Sequence, residues 1–97
     1  MTRIVIFEDE FTVGEYESHG TPKDIADRLI EYLEGHRHAG YKFVNDLLEK
    51  IDFCFDLPGF LYFEGIPTHR IEEDLYDIQF CAVFENADHA IMARLSL

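Results

Sequence analysis

One segment carries start and stop signals for an α-helix, and it constrains the fold of the rest of the chain. Thr21 can cap a helix, Pro22 suits the first helical position, and Asp24 stands three residues after the cap, near the positive end of the helix dipole. Gly35 is typical of a helix end. Between these signals the apolar residues recur with helical spacing: Ile25, Leu29 and Leu33. We predict an amphipathic helix here.

A second helix is predicted after a short connection, His36–Gly40. It ends before the turn signal Leu57-Pro58-Gly59. Its apolar positions follow the same period: Phe43, Val44, Leu47, Leu48 and Ile51.

The segments on either side of the two helices have the period of two that is typical of strands. Upstream, Arg3–Phe7 is a strand, and Phe11–Glu17 either pairs with it as a hairpin or extends it through a bulge. Leu75–Glu85 is apolar on both faces, which indicates a central strand. The other downstream predictions are a strand Phe60–Glu64, a turn Gly65–Thr68, a hairpin loop Asn86–Asp88 and a closing strand Ala90–Leu97.

This order, β-β-α-α-β-β-β, predicts an α+β fold, because strands occur in blocks and helices as a pair. We expect a two-layer sandwich with a mainly antiparallel sheet of four to five strands and two helices on one face. The chain of 97 residues is 47% hydrophobic, which suits one globular domain over residues 1–97.

The charge balance restricts the partners. Twenty acidic residues face eight basic ones, for a net charge of −12. Nucleic-acid phosphates and anionic membranes repel such a chain, so we expect neither direct nucleic-acid binding nor membrane binding. A charged partner would be cationic, and basic surfaces in cells belong mostly to nucleic-acid-binding proteins. The alternative is that the charge serves only solubility.

Two stretches contain acids and no Lys or Arg: Glu8–Ser18 and Ile71–Asp88. Carboxylates two positions apart on a strand stand about 6.6–6.8 Å apart on one face, a row that crudely resembles a phosphate backbone. A sheet edge protected from aggregation by charge is the alternative. The candidate partner-binding residues are Glu8, Asp9, Glu10, Glu15, Glu17, Glu72, Glu73, Asp74 and Asp77.

Aromatic residues crowd the segment Phe53–Phe63 around one proline. Because side chains on a strand alternate between faces, some of these rings should face away from a single core. Exposed aromatics often mark an interface with a partner or a second copy of the chain. The candidate interface residues are Phe60, Tyr62 and Phe63, and a filled core is the alternative.

The sequence contains no catalytic motif, and we expect no enzyme activity and no cofactor. Cys54 and Cys81 lie in apolar runs, where buried thiols are inert. His36 and His38 form an H-x-H pair, but Arg37 between them repels a cation. The Glu72–Asp77 cluster could hold Mg²⁺ or Ca²⁺, although it lacks the EF-hand spacing. A metal-binding enzyme built on either group is the less favoured alternative.

The N-terminal apolar run Ile4–Phe7 is too short for a signal peptide, and no segment approaches the roughly 18 apolar residues of a membrane span. We therefore expect a cytoplasmic protein, in the host cytoplasm if it is phage-encoded.

The leading hypothesis is a non-enzymatic inhibitor that blocks a basic, nucleic-acid-binding surface on a partner protein, as a nucleic-acid mimic. Small acidic α+β domains without catalytic motifs occur among phage-encoded antagonists of host defence, including anti-CRISPR proteins, and among toxin-immunity proteins. The alternative is a homodimeric accessory or regulatory protein that self-associates through Phe53–Phe63.

Overall fold

A computed structural model describes residues 1–12, 20–73 and 75–97 of the chain. The elements in chain order are β1 (Thr2–Thr12), α1 (Pro22–Gly35), α2 (Lys42–Phe55), β2 (Phe60–Arg70), β3 (Leu75–Phe84) and α3 (Ala87–Ser96). One turn of 3-10 helix, Arg37–Ala39, joins α1 to α2. The fold is α+β with an antiparallel sheet, as predicted.

The predicted boundaries of α1 follow from capping. The Thr21 hydroxyl accepts a hydrogen bond from the Asp24 amide at 3.2 Å, and the Asp24 carboxylate accepts one from the Thr21 amide at 3.0 Å. This reciprocal pair satisfies two amides that a helix start would otherwise leave without partners. The prediction of α1 from the Thr21 cap to Gly35 is confirmed.

The sheet has the order β1-β3-β2, and both neighbouring pairs are antiparallel. The prediction that Leu75–Glu85 forms a central strand is therefore confirmed. Phe80 of β3 lies opposite Phe7 on one side and Gly65 on the other. The register of β1 against β3 shifts between Val5 and Phe7, so the strand has an irregularity of the bulge type there.

The C-terminal prediction was wrong: Ala90–Leu97 is not a strand, and Asn86–Asp88 is not a hairpin loop. The segment is α3, and the Asn86 side chain caps it by accepting a hydrogen bond from the His89 amide at 3.0 Å. Buried Ala90 and Ala93 let α3 approach the sheet closely. Its outer side is also apolar, so the sequence pattern lacks the polar face that would have indicated a helix.

Two predictions about the other strands also need correction. Gly65–Thr68 is not a turn but part of β2, which continues to Arg70. Phe11 and Thr12 do not start a second strand but extend β1, as the alternative prediction had it. The remainder of the predicted Phe11–Glu17 strand lies outside the described residues. Within the described chain, the sheet thus has three strands instead of the predicted four to five. The same residues form three α-helices instead of the predicted two.

The core lies between the helices and one face of the sheet. Helix α1 packs against β2, while α3 packs against β1 and β3. The sheet contributes large side chains to this core, above all Phe80 and Phe84, which are fully buried. The helices contribute Ala26, Leu29, Leu33, Val44, Leu48, Ile51, Cys54, Ala90 and Ala93.

Candidate partner-binding surface

The second face of the sheet, here called the open face, carries side chains that point away from the core. The orientation follows from Phe7, whose ring stacks on Phe80 in the core with centroids 4.7 Å apart. Since successive side chains on a strand alternate, Glu8 and Glu10 point to the open face. Their cross-strand partners on β3, Gln79 and Asp77, point the same way.

The structure brings three of the predicted acids together on this face. Glu10 lies directly opposite Asp77 in the antiparallel pair, and Glu8 lies opposite Gln79. The Glu8 carboxylate accepts a hydrogen bond from the Gln79 amide at 3.2 Å. Directly opposed side chains have Cβ atoms roughly 4.5–5.5 Å apart, and like charges there destabilise the sheet. The Glu10–Asp77 pair is therefore unfavourable for folding.

Glu72 and Glu73 extend this acidic surface beyond the end of the sheet. They lie in the connection between β2 and β3, close in sequence to Asp77, and both are exposed. The Arg70 guanidinium donates to the backbone carbonyls of Glu72 at 3.3 Å and Glu73 at 3.1 Å. These hydrogen bonds order the connection without using the carboxylates. We call Glu8, Glu10, Glu72, Glu73 and Asp77 the acidic end of the open face.

At the opposite end of the open face an acid is neutralised. Arg3 of β1 and Glu64 of β2 reach across the central strand and form two hydrogen bonds, at 2.8 and 3.1 Å. The hydrogen bond to Glu64 raises the pKa of Arg3 above its ordinary value. Among the ion pairs within the described residues, none involves a carboxylate of the acidic end. The open face is therefore electrostatically asymmetric along its strands.

The remaining predicted acids are placed differently. Asp9 points to the helix side of the sheet, opposite Ile78, and its carboxylate accepts a hydrogen bond from the Glu10 amide at 2.8 Å. It is thus separated from Glu8 and Glu10. Glu15, Glu17 and Asp74 lie outside the described residues.

The three predicted interface aromatics do not share one surface. Phe63 is only 7% exposed and belongs to the core, while Phe60 and Tyr62 are half-buried. Phe60 and Phe63 pack with ring centroids 4.7 Å apart. Tyr62 lies under the Lys23 ammonium, which is 4.2 Å from its ring centroid. The filled-core alternative describes Phe63, whereas Phe55 of the same segment is 60% exposed.

Sequence reasoning missed a groove formed by α1, the start of α2 and the end of β1. Its volume is about 890 Å³. Tyr32, Tyr41 and Phe43 line it and are each more than half exposed. Phe11 lies beside Tyr32 in an edge-to-face contact with centroids 5.7 Å apart. No local pattern indicated this groove, since Tyr32 stands seven residues after Ile25 and so continues the apolar stripe of α1.

The outer side of α3 was also missed, because the segment was predicted to be a strand. Ile91, Met92 and Leu95 are 58%, 59% and 83% exposed and lie on one side of the helix. They form an apolar surface separate from the open face.

The two thiols considered for catalysis are buried, and the His36–Arg37 pair makes local contacts. Burial raises the pKa of the Cys54 thiol to about 11 and also raises that of Cys81. His36 donates through Nδ1 to the Tyr32 carbonyl at 2.8 Å, and Arg37 pairs with Glu34 at 2.7 Å. Within the described chain, no three His, Cys, Asp or Glu side chains lie close enough together to hold a metal ion.

Comparison with known proteins gives no match to this chain among protein-family models, curated proteins or solved structures. Among the described helices, none is both long enough and apolar enough to cross a membrane.

Proposed function

We propose that this protein is a non-enzymatic inhibitor that binds a basic, nucleic-acid-binding surface of a partner protein through the acidic end of its open face. The observation that carries the proposal is the direct opposition of Glu10 and Asp77 across β1 and β3. Like charges in this position weaken the sheet. On the other side of Asp77 lies the exposed His69 of β2, and among the described residues the two side chains form no ion pair. Lys or Arg side chains of a partner would relieve the repulsion.

The spacing of these carboxylates supports mimicry of a phosphate backbone. Glu8 and Glu10 stand about 6.6–6.8 Å apart along β1. Asp77 lies beside Glu10 on the neighbouring strand, and Glu72 and Glu73 continue the negative surface into the β2–β3 connection. At the other end, an ion pair between β1 and β2 holds the two edge strands together. Glu8, Glu10 and Asp77 stand on paired strands, which limits their backbone freedom and lowers the entropic cost of binding.

The net charge of −12 adds a long-range contribution. Opposite charges on two proteins accelerate their encounter and make association sensitive to salt. The partner surface would be one that normally holds nucleic acid, so the bound inhibitor would exclude it. Small acidic, non-enzymatic α+β domains occur among phage-encoded anti-defence proteins, including anti-CRISPR proteins, and among toxin-immunity proteins, and we propose this class for the present chain.

A pull-down tests the proposal. Tagged protein is incubated with a nuclease-treated lysate of the native host cell, and bound proteins are eluted with a salt gradient and identified by mass spectrometry. We expect a basic nucleic-acid-binding protein that elutes at elevated salt, and a Glu10→Gln/Asp77→Asn variant should lose it. The matched control is Asp46→Asn/Glu49→Gln, which removes the same two charges from α2 and should retain the partner. Equal recovery with both variants would contradict the proposal.

The exposed side of α3 favours a second candidate function, a homodimeric accessory protein. Ile91, Met92 and Leu95 offer an apolar surface through which two copies could meet without placing carboxylates against each other at the contact. This differs from the Phe53–Phe63 contact expected from the sequence. Sedimentation analysis of wild type and Leu95→Glu is the test: a dimer that becomes a monomer in the variant supports it, and a monomer in both cases rejects it.

A further inference from the structure

We infer that the groove between α1, α2 and β1 binds an arginine or lysine side chain presented by the basic partner. This inference rests on the proposed function and adds a specific pocket to it. Tyr32, Tyr41 and Phe43 line the groove, and each exposes more than half of its surface. Aromatic faces carry negative charge density and attract cations within about 6 Å of the ring centroid.

The charges that line the groove favour a cation as its occupant. Asp9 and Glu31 are the acidic residues on the helix side of the groove, Glu10 borders it, and Arg28, the one arginine or lysine among the described lining residues, pairs with Glu31 at 3.5 Å. The groove therefore combines aromatic rings with an excess of negative charge. A neutral apolar occupant would bury these carboxylates without compensation, which is unfavourable. A guanidinium or ammonium group would instead contact the rings and the carboxylates together.

The groove is also continuous with the acidic end of the open face. Glu10 borders the groove while its side chain points to the open face opposite Asp77, so the two surfaces meet at the end of β1. A partner that follows the open face would reach the groove at the end of β1. The protein already makes one contact of the proposed kind internally, where the Lys23 ammonium lies 4.2 Å from the centroid of the Tyr62 ring.

The test uses a peptide of alternating arginine and glycine as the probe, measured by isothermal titration calorimetry and by amide chemical shifts. A peptide in which citrulline replaces arginine controls for charge. We expect the arginine peptide to bind and to shift the amides of Tyr32, Tyr41 and Phe43. Tyr41→Leu/Phe43→Leu keeps apolar area but removes the rings, and it should weaken binding about tenfold.

Phe55→Leu is the matched control, since Phe55 is 60% exposed, close to the 59% of Phe43, but lies away from the groove. It should bind the arginine peptide like wild type. Equal affinity of the Tyr41→Leu/Phe43→Leu variant and wild type, equal binding of the citrulline peptide, or self-association through the groove would overturn the inference. The proposed function fails separately, if the Glu10→Gln/Asp77→Asn variant retains the captured protein partner.

Discussion

Gly65 determines how closely α1 packs against the sheet. A Cβ atom at this position would lie 2.6 Å from Cγ2 of Ile25 and 3.2 Å from the backbone nitrogen of Ala26. The helix backbone cannot move away without disturbing the core around Ala26, which is fully buried. The glycine that looked like a turn signal in the sequence is therefore needed for close packing between a strand and a helix.

We predict that Gly65→Ala destabilises the protein by about 1–3 kcal/mol, the usual range for overpacking a core. Gly35→Ala is the matched control, because a Cβ there would meet no atom within 4 Å. Urea denaturation of both variants measures the free energy of unfolding. Similar stabilities for the two would show that α1 does not approach β2 as described.

The two thiols should be unreactive in the folded protein. Cys54 and Cys81 are both fully buried, and burial raises the pKa of Cys54 to about 11. Only the thiolate is nucleophilic, so at pH 8 roughly one Cys54 in a thousand is reactive even before access is considered. We expect no alkylation by iodoacetamide in native buffer and complete alkylation in urea, as read by mass spectrometry. Rapid modification of the native protein would contradict this burial.

At the scale of single elements, the capping box of α1 makes a pH-dependent contribution. The hydrogen bond from the Thr21 backbone lowers the pKa of Asp24 below its ordinary value of 3.8. A carboxylate with a lowered pKa stabilises the fold above the unfolded-state pKa, and this contribution is lost as the pH falls through the folded-state pKa.

We therefore predict that Asp24→Ala lowers the thermal midpoint at neutral pH, and that the difference from wild type shrinks as the pH falls below 3.8. Asp27→Ala, which removes a carboxylate outside the capping box of the same helix, is the control. If the difference in thermal midpoint between Asp24→Ala and wild type stays constant at acid pH, the Asp24 carboxylate does not cap α1.

The pairing of β1 with β3 places Glu10 opposite Asp77, and this arrangement opposes folding. We predict that Glu10→Gln stabilises the protein by a few tenths of a kcal/mol up to about 1 kcal/mol, because it removes a like-charge cross-strand pair. Glu49→Gln on α2 changes the net charge by the same amount, so it separates the local cross-strand repulsion from the general effect of a lower net charge. Chemical denaturation at low salt is the measurement, and a destabilised Glu10→Gln would argue against the cross-strand repulsion.

Over the whole molecule, the sequence predicted correctly those helices and strands whose local capping and apolar pattern match the way they pack in the fold. The Thr21 cap, the apolar stripe of α1 and the two apolar faces of β3 all led to correct assignments. The segment after Asn86 was mistaken for a strand because α3 is apolar on its outer side as well as at Ala90 and Ala93. Pro67 suggested a turn, but β2 is an edge strand of the described sheet, where a residue without an amide proton is tolerated.

The candidate surface was predictable only in part, since it depends on strand register. Acid-rich stretches were visible in the sequence. Which acids share a face depends on how side chains alternate along β1 after the register shift between Val5 and Phe7, and this places Glu8 and Glu10 on one face and Asp9 on the other. Glu10 and Asp77, which pair across β1 and β3, are far apart in the sequence. In the groove, Tyr32 of α1 and the rings of Tyr41 and Phe43 near the start of α2 lie beside the end of β1. Such distant contacts leave no local pattern.

The most direct test of the central claim is a competition between this protein and nucleic acid for the captured basic partner. Fluorescently labelled nucleic acid is bound to the partner, and its release is followed by anisotropy as wild type, Glu10→Gln/Asp77→Asn or Asp46→Asn/Glu49→Gln protein is added. We predict release by wild type and by the α2 control, and a markedly weaker effect of the open-face variant. Release by all three proteins at equal concentrations, or by none, would contradict the assignment of the acidic end as the inhibitory surface.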